Sequence, residues 1–193
     1  MKQLMALFLS LIAVSFFSEE IKYPFDESTF KNWKVLSDGY SASDATPDLS
    51  LKKYPMPWIM EPKVADEERA VFFLSLPYSN PSDPPIYILQ PLVPVEFKEI
   101  RGMKMIYLYL YGYRYRIKAG ILFEDRNHQS YELIIPQTLD FDGWKKLEIH
   151  VKNNFSVEGF ILKGIVFYLP DSSLISDYAN EMQVRIGELR IEY

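Results

Sequence analysis

Met103-Lys104-Met105-Ile106-Tyr107-Leu108-Tyr109-Leu110-Tyr111 opens the stretch whose reading decides the fold, which runs on to Val151. It continues through Tyr115-Arg116-Ile117-Lys118-Ala119-Gly120-Ile121-Leu122-Phe123-Glu124-Asp125 and turns at Arg126-Asn127-His128-Gln129. The return leg is Ser130-Tyr131-Glu132-Leu133-Ile134-Ile135-Pro136, then Leu139-Asp140-Phe141-Asp142-Gly143-Trp144-Lys145-Lys146-Leu147-Glu148-Ile149-His150-Val151. Short β-branched and aromatic runs broken by polar turns predict consecutive antiparallel strands, paired in chain order as a meander.

Upstream of this stretch, Asn32-Trp33-Lys34-Val35-Leu36 reads as a first strand. Ala70-Val71-Phe72-Phe73-Leu74-Ser75-Leu76 is a strand too apolar to have a solvated face, so it belongs at the centre of a sheet. Ile86-Tyr87-Ile88-Leu89 and Val93-Pro94-Val95-Glu96-Phe97 follow, the prolines confining the second to an edge. Downstream, the run from Gly159 to Tyr168 is a strand kinked at Gly164. Apolar alternation from Gln183 to Tyr193 marks a half-buried terminal strand. Eight to ten strands and no amphipathic helix of useful length predict an all-β fold: a two-layer antiparallel sandwich, jelly-roll-like, of the kind carbohydrate-binding modules use.

The 193 residues suffice for one domain with a substantial core. Residues 1–18 (MKQLMALFLSLIAVSFFS) pair a basic start with an apolar run too short to span a bilayer, which predicts a signal peptide cut near Ser18. Residues 19–31 read as an N-terminal arm, and 32–193 as the sandwich, interrupted by a long irregular loop at 37–69 rich in Pro and Ser. There is no cysteine, so no disulfide or thiol chemistry, and an exported, unstapled protein suits a bacterial periplasm. A net charge of -5 argues against binding nucleic acid, whose phosphates need clustered cations, and no membrane association is expected once the signal is removed.

Strand geometry places Tyr107, Tyr109 and Tyr111 on one face and Ile106, Leu108 and Leu110 on the other. The aliphatic face belongs to the core. The tyrosine face is either an aromatic platform for protein or glycan, or a surface covered by the loop from Ser37 to Asp66. Arg114, Arg116 and Lys118 alternate beyond it, as a solvated row or as a basic row for acidic partner residues. In the loop, Trp58 sits in the apolar island from Tyr54 to Met60, which is either an edge strand or a segment docking on another subunit.

Catalytic signals are weak. The two histidines, His128 and His150, belong to no nucleophile motif and read as surface residues, and there is no Gly-x-Ser-x-Gly or His-Glu-x-x-His. Asp140 and Asp142 are read as turn carboxylates rather than as a metal or glycosidase pair. No enzyme activity, cofactor or metal is expected.

The segment from Leu139 to Leu147, containing Phe141-Asp142-Gly143-Trp144, together with the tyrosine-rich strand, Ile121 to Asp125 and Tyr131-Glu132-Leu133, resembles the spirochete flagellar filament outer-layer proteins, the FlaA sheath family. In that motif Gly143 permits a tight turn, while Phe141 and Trp144 are expected to pin it to the core. The resemblance implies a non-catalytic subunit that coats the flagellin core of a periplasmic filament. One face would meet the core and edges would meet other flagellar sheath proteins. Tyr107, Tyr109, Tyr111, Trp58, Arg114 and Arg116 are the candidate contacts, from strand geometry. A periplasmic carbohydrate-binding module, with glycans as ligand, is the alternative.

Overall fold

The computed structural model describes residues 20–38, 47–55, 68–78, 85–97, 103–151, 159–170 and 181–193. The predicted signal peptide lies outside them. Twelve strands are described: β1 (Glu20–Pro24), β2 (Trp33–Asp38), β3 (Asp48–Pro55), β4 (Glu68–Pro77), β5 (Ile86–Pro91), β6 (Val95–Phe97), β7 (Met105–Tyr113), β8 (Lys118–Asp125), β9 (Ser130–Ile134), β10 (Asp142–His150), β11 (Phe160–Tyr168) and β12 (Glu181–Glu192). A single 3-10 turn, Phe30–Asn32, is the one helical element among the described residues. The strands form two six-stranded sheets. Sheet A runs β10-β7-β12-β4-β3 with β1 added to β12; sheet B runs β2-β5-β11-β8-β9 with β6 added to β11.

Every pairing is antiparallel, and the pairs nest: β8 with β9, β7 with β10, β5 and β6 with β11, β4 with β12. A long hairpin rolled over on itself in this way is a jelly roll. The fold is therefore the expected two-layer antiparallel sandwich, but its connectivity corrects the meander. β7 and β10 lie in sheet A while β8 and β9 lie in sheet B, so the chain crosses between layers at 114–117 and again after β9. Alternation specifies that strands exist and which side faces in; it does not specify which sheet a strand joins.

The inner faces meet in one core, formed in sheet A by Ile106, Leu108, Leu110, Leu147, Leu189 and Ile191 and in sheet B by Leu89, Ile121, Phe123, Ile165 and Phe167. β4 is central, as its apolar run demands, with Val71 to Leu74 buried. The expected kink of β11 is a register shift against β8 between Leu162 and Gly164.

Two domain boundaries need correction. The N-terminal arm is structural: β1 pairs with β12, and Phe25, fully buried, meets Trp33 and Phe72 edge-to-face at 5.2 and 5.3 Å. Trp33 Nε1 donates to the Tyr23 hydroxyl at 3.1 Å, tying that arm to β2. The loop expected at 37–69 contains the whole of β3, whose Leu49 and Leu51 pack on the core. Pro47 precedes this strand and Pro55 ends it, so the punctuation masks a short alternating run on an edge, where proline is tolerated.

Candidate binding face

The outer face of sheet A gathers aromatic rings and charges in register. Reading from β10 through β7 to β12, one row is Trp144, Tyr111, Arg185; the next is Lys146, Tyr109, Glu188; the third is Glu148, Tyr107, Arg190. β4 and β3 continue the first row with Phe73 and Ser50, and Tyr54 lies opposite Arg69 farther along. Tyr107, Tyr109 and Tyr111 thus share the face expected of them. Tyr109 is only 2% exposed, with Tyr107 and Trp144 packed against it, and Tyr107 and Tyr111 are half-buried.

What lies over these rings is the chain's own cations. The Arg185 guanidinium stands 3.4 Å from the Tyr54 ring centroid, 4.2 Å from Tyr111 and 5.0 Å from Tyr113. Lys146 Nζ leans diagonally onto Tyr107 at 3.6 Å, Arg190 lies 4.8 Å from Tyr109, and Lys52 Nζ is 3.3 Å from Phe73. Each cation meets the negative face of a π system. Trp144 meets Tyr111 edge-on at 5.7 Å.

Two of these cations, Arg190 and Lys146, have carboxylate partners. Arg190 hydrogen-bonds Glu188 and lies 3.7 Å from Glu20 Oε1; Lys146 lies 3.5 Å from Glu148 Oε1. Burial raises the Glu188 carboxyl above its ordinary value, with the Arg190 hydrogen bond opposing the rise. The Tyr107 hydroxyl donates to Glu192 Oε2 at 2.6 Å, and that bond is the main reason its pKa lies far above the ordinary tyrosine value. Burial pushes Tyr113 up to about 12, against the pull of Arg185. Tyr107 and Tyr113 therefore remain neutral at physiological pH.

The other candidates fall elsewhere. Trp58 lies outside the described residues. Arg114 and Arg116 do not extend the tyrosine row, because β7 ends at Tyr113 and both residues occupy the crossing to sheet B. Arg114 adopts φ 62°, its N–H donates to the Phe141 carbonyl at 2.8 Å, and its side chain lies 3.8 Å from Asp142 Oδ2. Lys118 opens β8 in the other sheet. In the turn motif, Gly143 has φ 101°, a conformation that favours glycine, and Phe141 packs over Gly112, where a Cβ would stand 2.6 Å from the Phe141 carbonyl. Trp144 corrects its expectation: it points outward onto Tyr111, because it alternates with Leu147 and Ile149 in a strand that starts at Asp142.

Sequence reasoning missed Arg185 and Arg190. Five residues apart, they belong on opposite faces of a regular strand. A register shift at Gly187, between Ile186 and Glu188, brings both to the outer face, and the Phe25 N–H donates to the Gly187 carbonyl at 3.0 Å. The available signal was a glycine inside an alternating pattern, a common mark of a bulge.

Against known families, residues 96–176 match the model of the flagellar filament outer layer protein family, FlaA. This segment is FlaA-like. It comprises β7 to β11, the nested strands of the jelly roll and the tyrosine row. No curated protein matches the chain. Among solved structures, a family 61 carbohydrate-binding module in complex with β-1,4-galactotriose is 13% identical over 88% of this chain and 97% of its own, with TM-score 0.42. A family 11 carbohydrate-binding module from a cellulosomal cellulase of Clostridium thermocellum is 11% identical over 90% and 94%, with TM-score 0.48. Scores of this size say nothing about what this chain binds.

Proposed function

We propose that the protein is a structural subunit of the outer layer of a periplasmic flagellar filament, exported by its N-terminal signal and without catalytic activity. The observation that carries this reading is the match of residues 96–176 to the outer-layer family. The outer face of sheet A, with Tyr107, Tyr109, Tyr111 and Trp144 at its centre and Lys146, Arg185 and Arg190 laid over them, is the surface for the flagellin core. Side chains already held in stacks lose little freedom on docking, so more of each contact survives as affinity. Along a filament each subunit needs only weak contacts, since they add over many neighbours.

The cation cover also bears on the alternative. A sugar ring stacks on a free aromatic face, and here Tyr107, Tyr109 and Tyr111 each have a cation within 5 Å of the ring. Stacking would require those cations to leave. Protein partners fit better, since they can answer both the rings and the charges.

The test is co-sedimentation of the purified protein with filament cores stripped of their outer layer. The wild type is expected to pellet with the cores, and Lys146→Glu, which reverses an exposed charge on the edge strand of the face, over Tyr107, to pellet much less. Specific retention on a glycan array with no co-sedimentation would transfer the assignment to a carbohydrate-binding module.

A further inference from the structure

Arg185 differs from Arg190 and Lys146 on the outer face of sheet A in having no carboxylate. Arg190 pairs with Glu188 and Glu20, and Lys146 with Glu148. Among the described residues no ion pair reaches Arg185, nor Lys52, whose Nζ lies over Phe73, the residue opposite Arg185 on β4. Asp48 and Glu181 stand two and four residues along from the row of Arg185 and pair with neither cation. Two donors at the same place also lack an acceptor. Arg185 Nε and the Tyr113 hydroxyl are out of solvent contact and have no hydrogen-bond partner, and the guanidinium lies 5.0 Å from the Tyr113 ring. Polar atoms buried in this way are costly and rare, and they mark a place where a partner is missing. Arginine can only donate, and Tyr113, its pKa held at about 12, keeps a proton to donate. A full positive charge and two unanswered donors call for an anion.

We propose that Arg185, with Tyr113 and Lys52 beside it, receives an acidic segment of a protein partner, one of whose carboxylates seats on the guanidinium. The Tyr54 ring, 3.4 Å from the guanidinium carbon, covers one face of the plane, and Tyr111 stands at 4.2 Å. Approach is left to the N–H edge, where a carboxylate makes two parallel charge-assisted hydrogen bonds. Arg185 as a whole is only part-buried, so the group is open to a ligand although Nε is covered. Nε and the Tyr113 hydroxyl gain their acceptor as the carboxylate seats. The rings hold the guanidinium in place and keep water from it, so the ion pair is stronger than one in open solvent and little side-chain freedom is lost in making it. A second carboxylate meets Lys52, which is exposed, and this favours a run of acidic residues over a single one. The identity of the partner as the flagellin core rests on the outer-layer reading, whereas the site itself is tested without filaments.

Fluorescein-labelled hexaglutamate, titrated with the purified protein and followed by fluorescence anisotropy, is expected to bind saturably, and more weakly as salt rises. Hexaglutamine should not bind. The chain carries a net charge of -5, so a polyanion has no general attraction to it and binding reports a local site. Arg185→Gln is expected to weaken binding at least tenfold and Lys52→Gln at least threefold. Because Arg185→Gln also removes contacts to three rings, Tyr113→Phe serves as a second variant: it keeps the ring beside Arg185 and deletes only the hydroxyl. It should weaken binding at least threefold with an unfolding midpoint no lower than that of the wild type, a combination that a purely structural hydroxyl would not give. Lys34→Gln, at an exposed position on sheet B, should bind as the wild type does. Absence of saturable binding, equal binding of hexaglutamine, or wild-type affinity in either Tyr113→Phe or a folded Arg185→Gln would overturn the proposal. Such a result leaves co-sedimentation with filament cores untouched. Hexaglutamate bound through Arg185 by a protein that does not pellet with cores would instead remove the outer-layer reading and keep the site.

Discussion

Arg185 serves three rings at once, and that makes it the most consequential single side chain on the outer face of sheet A. It lies over Tyr54 on β3 and over Tyr111 and Tyr113 on β7, joining strands on both sides of β12. Desolvated cation–π contacts contribute about 2 kcal/mol, so Arg185→Ala should lower stability by about that much in urea denaturation. Arg185→Lys, with a point charge in place of a planar group, should recover only part of it. Trp144 makes a related point. Its ring is half-buried against Tyr111 rather than sunk in the core, so Trp144→Ala should cost about 1 to 2 kcal/mol, below the range of a fully buried aromatic. A loss above about 4 kcal/mol in the same denaturation would show that the ring bears on the core after all.

At the level of elements, β1 and the hairpin between β8 and β9 each make a prediction. Phe25 follows β1 and fills the space between Trp33 and Phe72, so Phe25→Ala should lower stability by about 3 to 5 kcal/mol by urea denaturation, whereas a mere arm would tolerate the change. In the hairpin, Asp125 Oδ1 accepts the backbone N–H groups of Asn127 at 2.8 Å and Gln129 at 2.9 Å. These bonds, led by that of Gln129, hold the Asp125 carboxyl below its ordinary value. A depressed carboxylate pKa stabilises the fold above the unfolded value, about 3.9, and that contribution disappears as pH falls through the lower folded value. Thermal unfolding midpoints should therefore fall in this acid window, and Asp125→Asn should start lower at neutral pH and show a shallower acid decline.

The same elements show what the sequence could reveal. The uninterrupted apolar run of β4 implied a strand buried on both faces, and the alternation through Ile106, Leu108 and Leu110 assigned the core side of β7 correctly. The four residues from Arg114 to Ile117 were not decisive, since a connection of that length serves equally as a hairpin loop or as a crossing between sheets. β3 was hidden by Pro47 and Pro55, which bound it at the edge. On β12, Gly187 reset the faces, so the cations that cover the tyrosines could not be placed by counting in twos.

For the whole molecule, the outer face of sheet A presents rings laid under cations. Edges are less suited to assembly. β10 and β3, at the ends of sheet A, carry Lys145 and Lys146 or Lys52 and Lys53, a placement that discourages open-ended strand addition. A subunit that joins its surroundings through faces can form a layer without polymerising through its backbone. The measurement that bears most directly on this account is mass spectrometry of periplasmic flagella purified from the cell that makes this protein, before and after a mild salt wash. The account predicts that the chain is present in both, at an abundance comparable to other outer-layer proteins. Its absence from the unwashed flagella, with recovery of the protein elsewhere in the cell envelope, would contradict it.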